Sequence, residues 1–514
     1  MLKIGIILGI YGYGILLFGL LGKLYFTPIL VFTCILTCVS LIIFWKPILV
    51  FFHSLTQASA NEKYILALLG TLAIINLVGA LGPEFGFDAL WYHLTIPKLY
   101  LESSSINFIP GNLFYYSAMP RLTEMLFTGA LALVGEIGAK IIHFSFGVLC
   151  TFITYRLARL YLNRNWSLIV SLIFYSNLVV AWLSTTAYVD LARAFYENAA
   201  LLCLLLFFKS KSRYHLVISG VLLGLAAATK LLVVGSLVVF IALIFLQKKN
   251  YVQKIIDGLF LLTIFISIAA PWFILAYKDT GNPIYPVFTH IGLSNFSWEL
   301  LNPINFVKTT ISMLLFAPDP LTPIYFIAIP LIALKTKLMK THKYLFLYTL
   351  LSYLLWYATS QSGLTRFLTV LLPSLSLITA FAVREYNKNI QVAFLVLVFI
   401  LSLVTIMYRL AANVRYLPVE LGIETKQEFL LKNLNFQYGD FYDVNSEIKN
   451  IVGNDTVLIQ GIHNLYYADF RFTLREWSRS YKYVLAKNHE LVEGFTKDHI
   501  IYENKLTGVT LYKL

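Results

Sequence analysis

Two carboxylates and two cations stand out in a chain that is otherwise mostly apolar. Asp88 lies in GPEFGFDALWYHLTIPKLYLE (82–102), directly after an apolar run, and Asp190 lies in the short turn STTAYVDLAR. Lys230 interrupts the apolar stretch GVLLGLAAATKLLVVG, and Arg366 follows SQSGLT. A carboxylate can act as a general base, and a Lys or Arg side chain can stabilise the charge that develops on a phosphate. These four residues are therefore the first candidates for chemistry.

Each of these residues also has an ordinary structural interpretation. Asp is a common helix cap, so Asp88 and Asp190 could each cap a helix N-terminus. Lys230 and Arg366 could instead extend along apolar surface toward water, as long basic side chains do. We favour a functional role for Asp88 and leave the role of Asp190 open. A lipid phosphate at the outer leaflet would explain both cations, because Arg in particular is well shaped for phosphate oxygens.

Two aromatic residues near Asp88 are candidates for substrate contact. His93 is five residues past Asp88, so on a helix it would lie about 140° away from it. That angle argues against an Asp–His dyad and favours a hydrogen-bonding role for His93. We expect Tyr92 and His93 to contact substrate rather than to catalyse the reaction.

The composition indicates a polytopic membrane protein. Of 514 residues, 59% are hydrophobic and 13% are charged, which is about half the charge of an ordinary soluble protein. Apolar runs long enough to cross a bilayer recur along the chain. They lie near 3–22, 27–45, 64–82, 138–157, 166–185, 191–208, 256–276, 344–360, 366–383 and 391–412, with shorter ones near 215–229, 231–246 and 322–335. We predict a mainly α fold, a transmembrane bundle of about 13 spans.

The distribution of charge predicts the orientation and argues against nucleic acid as a partner. Lys and Arg concentrate in alternate short loops, which predicts a cytoplasmic N-terminus. The chain holds 28 basic and 13 acidic residues through position 412, and 12 and 13 after it. The formal net charge of +14 therefore belongs to the membrane part, where it serves topology and contact with anionic membrane lipids.

The chain divides into two predicted domains. Residues 1–412 form the membrane domain, with outer loops at 83–137 and 277–321. Residues 413–514 form a small soluble α/β domain outside the membrane, with strands predicted at 456–462 and 481–487 and a hairpin at 499–514. The four cysteines lie in apolar spans, which argues against a disulfide framework or a structural zinc site. The first apolar run is expected to be a retained helix rather than a signal peptide.

Five pieces of the sequence together resemble the GT-C membrane glycosyltransferases, the superfamily of protein O-mannosyltransferases and lipid A aminoarabinose transferases. The pieces are FDALWYH, AYVDLARAF, GLAAATK, KDTGNPIYPVF (278–288) and QSGLTRFLTVLLP (361–373). The resemblance covers roughly residues 64–383. It implies an integral, multi-pass protein of a prokaryotic plasma membrane. It also implies inverting transfer of a sugar from a polyprenyl phosphate or diphosphate in the outer leaflet.

The resemblance also implies a role for each candidate residue. By position, Asp88 would deprotonate the acceptor hydroxyl, and Asp190 would assist acceptor or metal binding. Lys230 and Arg366 would hold the leaving phosphate. The acceptor could be a glycan, a lipid or a protein, and the sugar is left open. A divalent cation, Mg or Mn, is a possible cofactor, with Asp88 and Asp190 as its candidate ligands.

Two other classes of protein share some of these features. A secondary transporter or flippase of a lipid-linked or polar substrate is also polytopic and lined by rare charges. Transporters place those charges near mid-membrane and often have two matching halves. Here the charges cluster at the outer boundary and no halves match, so we favour the enzyme. A non-catalytic scaffold is the third class, and it would not need Asp88.

Overall fold

The computed structural model describes residues 2–111, 113–289, 302–317, 321–334, 336–359, 365–474, 481–487 and 496–513. Most of these residues are helical. In chain order the α-helices are α1 (Leu2–Leu20), α2 (Phe26–Thr56), α3 (Ala60–Leu81), α4 (Thr95–Glu102), α5 (Leu122–Val134), α6 (Glu136–Arg159), α7 (Arg164–Tyr175), α8 (Leu178–Leu183), α9 (Asp190–Ser210), α10 (Arg213–Thr229), α11 (Val233–Phe245), α12 (Tyr251–Thr280), α13 (Pro303–Leu315), α14 (Pro323–Ala333), α15 (Thr336–Thr341), α16 (Lys343–Thr359), α17 (Leu372–Arg384), α18 (Lys388–Asn413), α19 (Leu417–Glu420), α20 (Lys426–Asn433) and α21 (Glu447–Val452).

The predicted membrane bundle is confirmed. Among the described residues, seven helical segments are long and apolar enough to cross a bilayer: α1, α2, α3, α6, α9, α12 and the segment Lys388–Glu420, which begins with α18. The shorter apolar helices α5, α10, α11, α14 and α17 lie between them in the chain. Each apolar run predicted to span corresponds to a helix, with two exceptions: 166–185 forms two helices, α7 and α8, and 366–383 begins in a 3₁₀ turn, Thr365–Leu368, before α17 starts at Leu372.

The break between α7 and α8 has a local cause. The side chain of Asn177 donates hydrogen bonds to the carbonyl oxygens of Ile173 and Phe174, at 2.7 and 3.0 Å. Its other side-chain atom, Oδ1, accepts from the Thr322 amide at 3.0 Å. An Asn side chain that binds main-chain groups in this way competes with helical hydrogen bonds, and α7 ends there.

Helix α9 is the core of the bundle, and nearly all of its residues are buried. It packs against α6 on one side and α10 on another. Only Lys211 and Ser212 join α9 to α10, and Lys211 takes a left-handed conformation (φ 59°) that reverses the chain. Because the two helices are antiparallel neighbours, the first residue of α9 and the residue after α10 lie at the same end of the bundle.

The segment between α3 and α6 carries Asp88. After α3 it forms a turn of π-helix at Ala89–His93, then α4, a 3₁₀ turn at Tyr115–Ala118 and α5. The sequence analysis predicts an outer loop over 83–137. In the structure the first nine residues of α5 are buried, and the helix packs against α1 and α6.

The C-terminal residues contain the predicted sheet. Its described strands are β1 (Thr456–Gln460), β2 (Phe472–Thr473), β3 (Tyr481–Lys487), β4 (Ile500–Asn504) and β5 (Val509–Lys513), in the order β2-β1-β3-β5-β4. Strand β1 is parallel to β2 and β3, whereas β5 is antiparallel to β3 and β4. The predicted strands and hairpin are confirmed, and β2 was missed because it has two residues.

The C-terminal unit contacts the segment that carries Asp88. The ammonium of Lys98, in α4, donates to the carbonyl oxygens of Tyr466 and Ala468 at 2.9 and 2.7 Å. Helix α18 ends at Asn413, and β1 begins at Thr456. The division of the chain into 1–412 and 413–514 stays a prediction.

Candidate active site

Asp88 lies in the loop after α3, where Gly82 and Pro83 follow the last helical residue. Its carboxylate Oδ2 accepts hydrogen bonds from Arg366 Nη2 at 2.5 Å and from the Tyr92 hydroxyl at 3.1 Å. Tyr92 is four residues further on, so the helical turn brings its hydroxyl back to the carboxylate. Within the described part of the chain, the Asp88 side chain makes no capping hydrogen bond. Its charge is used in an ion pair rather than in a helix cap.

Asp190 makes a second ion pair of the same kind. It is the first residue of α9, and its Oδ1 lies 2.6 Å from the ammonium of Lys230, which directly follows α10. The antiparallel packing of α9 and α10 brings the two residues together. The Asp190 side chain is 3% exposed and that of Lys230 is 19% exposed, so the cation is the more accessible partner.

The two cations converge on the ring of Phe367. The Lys230 ammonium lies 4.0 Å from the ring centroid, and the Arg366 guanidinium carbon lies 5.0 Å from it. Cations at such distances are attracted to an aromatic face. The sequence predicts that Lys230 and Arg366 approach each other to bind one phosphate. The structure brings both to one ring, and phosphate binding itself stays a prediction.

Asp88, Asp190, Lys230 and Arg366 form a cluster of two acidic and two basic side chains. Asp88 faces Arg366 and Asp190 faces Lys230, each at hydrogen-bond distance. A phosphate that binds either cation must therefore replace a carboxylate or share the cation with it. The carboxylate that is released regains free lone pairs, and these are what a general base needs.

Tyr92 and His93 have different surroundings. The Tyr92 ring stacks on Tyr116, with centroids 3.7 Å apart and planes 9° from parallel. Burial raises the pKa of Tyr92 well above its usual value and the Asp88 charge adds to the effect, so Tyr92 donates to Asp88 as a neutral phenol. His93 Nδ1 lies 2.8 Å from Glu124 Oε1, and both residues are buried. Substrate contact by either residue stays a prediction.

His143, in α6, positions the segment that carries Asp190. Its Nδ1 lies 2.8 Å from the Thr186 carbonyl oxygen, and its Nε2 accepts from the Leu191 amide at 3.1 Å. Because a carbonyl oxygen only accepts, Nδ1 must carry the proton. The sequence analysis missed His143, although a His inside an apolar span is itself a signal of a buried polar contact.

An apolar cavity of about 880 Å³ reaches the helical turn that carries Arg366. It lies among α13, α14, α16 and α17 and runs along α16 from Lys343 to Tyr353. Leu368 also lines the cavity and belongs to the same helical turn as Arg366, Thr365–Leu368. Residues 361–364, the first part of QSGLTRFLTVLLP, lie outside the described residues.

In the part of the chain that the structure describes, the residues present do not fit a divalent cation. No group of three or more His, Cys, Asp and Glu side chains that could hold a metal ion lies among the described residues. Asp88 and Asp190 each face a basic side chain instead. A metal held by these carboxylates would have to displace both basic groups.

Comparison with solved structures identifies the fold. A structure of ArnT from Cupriavidus metallidurans bound to undecaprenyl phosphate aligns with a TM-score of 0.63, at 11% identity, over 88% of this chain and 98% of that one. The apo form of the same protein gives 0.61, at 12% identity, over the same shares. The archaeal oligosaccharyltransferase AglB from Archaeoglobus fulgidus gives 0.47, at 13% identity, over 84% of this chain and 70% of that one.

No family model matches the sequence, and the search of curated proteins gave no match. At these identities, the similarity to ArnT shows the fold alone. The chain shares its fold with ArnT, in agreement with the transmembrane helical bundle that the sequence predicts.

Proposed function

We propose that this chain is an inverting membrane glycosyltransferase. It transfers a sugar from a polyprenyl-phosphate-linked donor to a glycan, lipid or protein acceptor at the outer face of a prokaryotic plasma membrane. Asp88 is the general base, and Lys230 and Arg366 hold the donor phosphate. The N-terminus is cytoplasmic, and the C-terminal sheet lies outside with the active site.

One observation carries the proposal. Lys230 and Arg366 both lie over the ring of Phe367, and each is paired with a carboxylate. The helical turn that carries Arg366 also contributes Leu368 to the lining of an apolar cavity of about 880 Å³. A lipid-linked sugar phosphate needs these features side by side, because its phosphate requires cations and its prenyl chain requires an apolar groove. The ArnT structure that shares the fold was solved with undecaprenyl phosphate, which is consistent with such a ligand.

The chemistry is a single displacement at the anomeric carbon. The acceptor oxygen forms a bond to C1 of the sugar while the bond from C1 to the phosphate oxygen breaks, which inverts C1. The acceptor proton passes to the Asp88 carboxylate. The leaving group is the polyprenyl phosphate, and Lys230 and Arg366 stabilise the negative charge that develops on it.

Asp190 forms an ion pair with Lys230, as Asp88 does with Arg366. Because Asp190 is nearly inaccessible, we assign it to orienting Lys230 and not to proton transfer. Tyr92 donates to the same Asp88 oxygen that binds Arg366. It therefore keeps the carboxylate oriented when the phosphate draws Arg366 away.

A transfer assay separates this proposal from a transporter. Undecaprenyl phosphate carrying radiolabelled mannose, glucose or aminoarabinose is supplied in turn to native membranes that contain wild type or Asp88→Asn. Wild type should move label from the donor to a second product and release undecaprenyl phosphate, whereas the variant should not. A flippase would carry the donor across proteoliposomes with its sugar attached. That outcome, with no label transfer from any donor, would contradict the proposal.

A further inference from the structure

The carboxylate of Glu84 touches both of the segments that carry the paired acids. Glu84 is 1% exposed, and it lies four residues before Asp88. Its Oε1 accepts from the amides of Phe85 at 2.9 Å and Gly86 at 2.7 Å, both in the Asp88 loop. Its Oε2 accepts from the Ala187 amide at 2.6 Å, three residues before Asp190. One side chain thus joins two segments that are about 100 residues apart in the sequence.

A second hydrogen bond crosses between the same segments. The Asp88 amide donates to the hydroxyl of Tyr188 at 3.1 Å. The two segments pack closely at Gly86. A Cβ atom added to Gly86 would lie 3.0 Å from Glu84 Oε1 and 3.2 Å from the Tyr188 ring. The main chain at Asp88 is therefore held against the Asp190 segment by two separate polar contacts.

A residue of the C-terminal unit, Tyr467, also contacts Glu84. The Tyr467 hydroxyl lies 2.7 Å from the Glu84 main-chain oxygen and 3.2 Å from Glu136 Oε1. Lys426 pairs with Glu136 at 3.0 Å. In α6, the Lys140 ammonium donates to the carbonyl oxygens of Gly82 and Pro83, the two residues directly before Glu84.

Holding an acid in this position has an energetic cost. Burial raises the pKa of Glu84 above its usual value, and the Lys140 charge and the amides of Gly86 and Ala187 oppose that shift. A buried carboxylate is retained when its hydrogen bonds compensate for its desolvation. Three main-chain donors from two segments provide that compensation here.

We propose that Glu84 is a positioning residue that fixes the spacing between Asp88 and Asp190. This inference rests on the proposed function, in which one acid is the base and the other orients a phosphate-binding cation. Reacting groups must be held within a few tenths of an ångström, and a misplacement of about 1 Å can cost roughly 10²-fold in rate. Glu84 sets this distance without touching the substrate.

Hydrogen exchange of the purified, full-length protein tests the proposal without any transfer assay. Glu84→Ala removes both acceptor oxygens. Glu84→Gln keeps the size but replaces one acceptor with an NH₂ group, which cannot bind an amide N–H. Glu136→Gln is the matched control, because Glu136 is a buried acid of the same interface that contacts Tyr467 and Lys426 but neither acid-bearing segment.

Peptides covering 83–92 and 184–192 should both exchange about ten- to a hundredfold faster in Glu84→Ala, and at least one of them should do so in Glu84→Gln, with other peptides and the melting temperature near wild type. The control should leave both peptides unchanged. In Glu84→Ala, faster exchange in one peptide only, or in neither, would overturn the proposal. Equally faster exchange along the whole chain in both variants would also overturn it, because Glu84 would then serve only general stability.

Activity gives a second readout. Undecaprenyl phosphate should bind the Glu84→Gln variant within about threefold of wild type, because Lys230 and Arg366 are contributed by other elements, while sugar transfer falls by roughly 10²-fold. Normal transfer in a variant that shows the local exchange changes would overturn the positioning role. If transfer is absent even in wild type, the proposed function fails while the exchange result still decides whether Glu84 joins the two segments.

Discussion

Arg366 Nη2 lies 2.5 Å from Asp88 Oδ2, although the two residues are 278 positions apart. The Asp88 and Arg366 side chains are 14% and 12% exposed, so water screens the pair only partly. If Asp88 is the base and Arg366 binds the donor phosphate, the two cannot act while they are fully paired. Binding of the phosphate then frees the base, and the donor should bind before the acceptor is deprotonated.

Asp88→Asn should separate catalysis from donor binding. The amide keeps the shape but cannot take a proton, so sugar transfer should fall by roughly 10²–10⁴-fold. Undecaprenyl phosphate should bind about three- to tenfold more tightly, because Arg366 no longer has a charged partner to give up. Wild-type transfer in the folded variant would rule out Asp88 as the base.

A double-mutant cycle distinguishes this pairing from simple repulsion between Asp88 and the phosphate. Undecaprenyl phosphate affinity is measured for Asp88→Asn in the presence and absence of Arg366→Ala. If the Asp88–Arg366 ion pair is responsible, the gain in affinity from Asp88→Asn should vanish in the Arg366→Ala background. An equal gain in both backgrounds would mean that Asp88 only repels the phosphate.

Lys230→Ala and Arg366→Ala should each weaken undecaprenyl phosphate binding. Loss of a charge-assisted hydrogen bond costs about 1.5–3 kcal/mol, which is roughly a 10- to 100-fold increase in Kd. Lys249→Ala is a matched control. Lys249 is 18% exposed and pairs with Asp257 at 2.8 Å, but it lies between α11 and α12, away from the cluster. An affinity that does not change in either test variant would exclude these cations as the phosphate site.

A bulky side chain in the large cavity should restrict the protein to lipids with a shorter prenyl chain. Leu347→Trp places a bulky side chain in the cavity of about 880 Å³, and Leu69→Trp does the same in a second cavity, of about 490 Å³, among α2, α3, α6 and α7. We expect Leu347→Trp to weaken binding of undecaprenyl phosphate at least tenfold while binding of a ten-carbon prenyl phosphate changes little. Equal losses for both lipids, or a larger loss in Leu69→Trp, would argue against this cavity as the prenyl site.

A chelator should leave undecaprenyl phosphate binding unchanged. In the proposed site, basic side chains already provide the positive charge that a metal would supply, and both carboxylates face them. Kd is measured by titration with EDTA and again with added Mg²⁺ or Mn²⁺. A Kd that rises severalfold with EDTA and recovers with either metal would show that a cation takes part in holding the phosphate.

The parts of this protein that depend on local sequence were predictable, and the contacts across the chain were not. Apolar runs of bilayer length predicted the helices, because burial of the backbone in lipid permits little else. The four charged residues were found because charge is rare in such runs. That Arg366 pairs with Asp88, however, depends on how α3, α9, α10 and α17 pack, which no spacing in the sequence encodes.

Glu84 illustrates the same limit. In the sequence it is one of several acids in an outer segment, four residues from a more conspicuous one. Its importance comes from the Ala187 amide, which belongs to a turn far along the chain. The break at Asn177 is similar, because Thr322, which helps to fix its side chain, comes from another helix terminus.

The topology of the chain decides from which leaflet a lipid-linked donor can reach Asp88. Basic residues concentrate in alternate loops, which places the N-terminus in the cytoplasm and the C-terminal sheet outside. Asp88, Tyr467 and the sheet share one side of the bundle, because Tyr467 binds the loop that carries Asp88. A reporter that is active only in the cytoplasm, fused after Leu514, should therefore be silent, and the same reporter fused before Leu2 should be active. The reverse result would put Asp88 on the cytoplasmic side, where an outer-leaflet donor could not reach it.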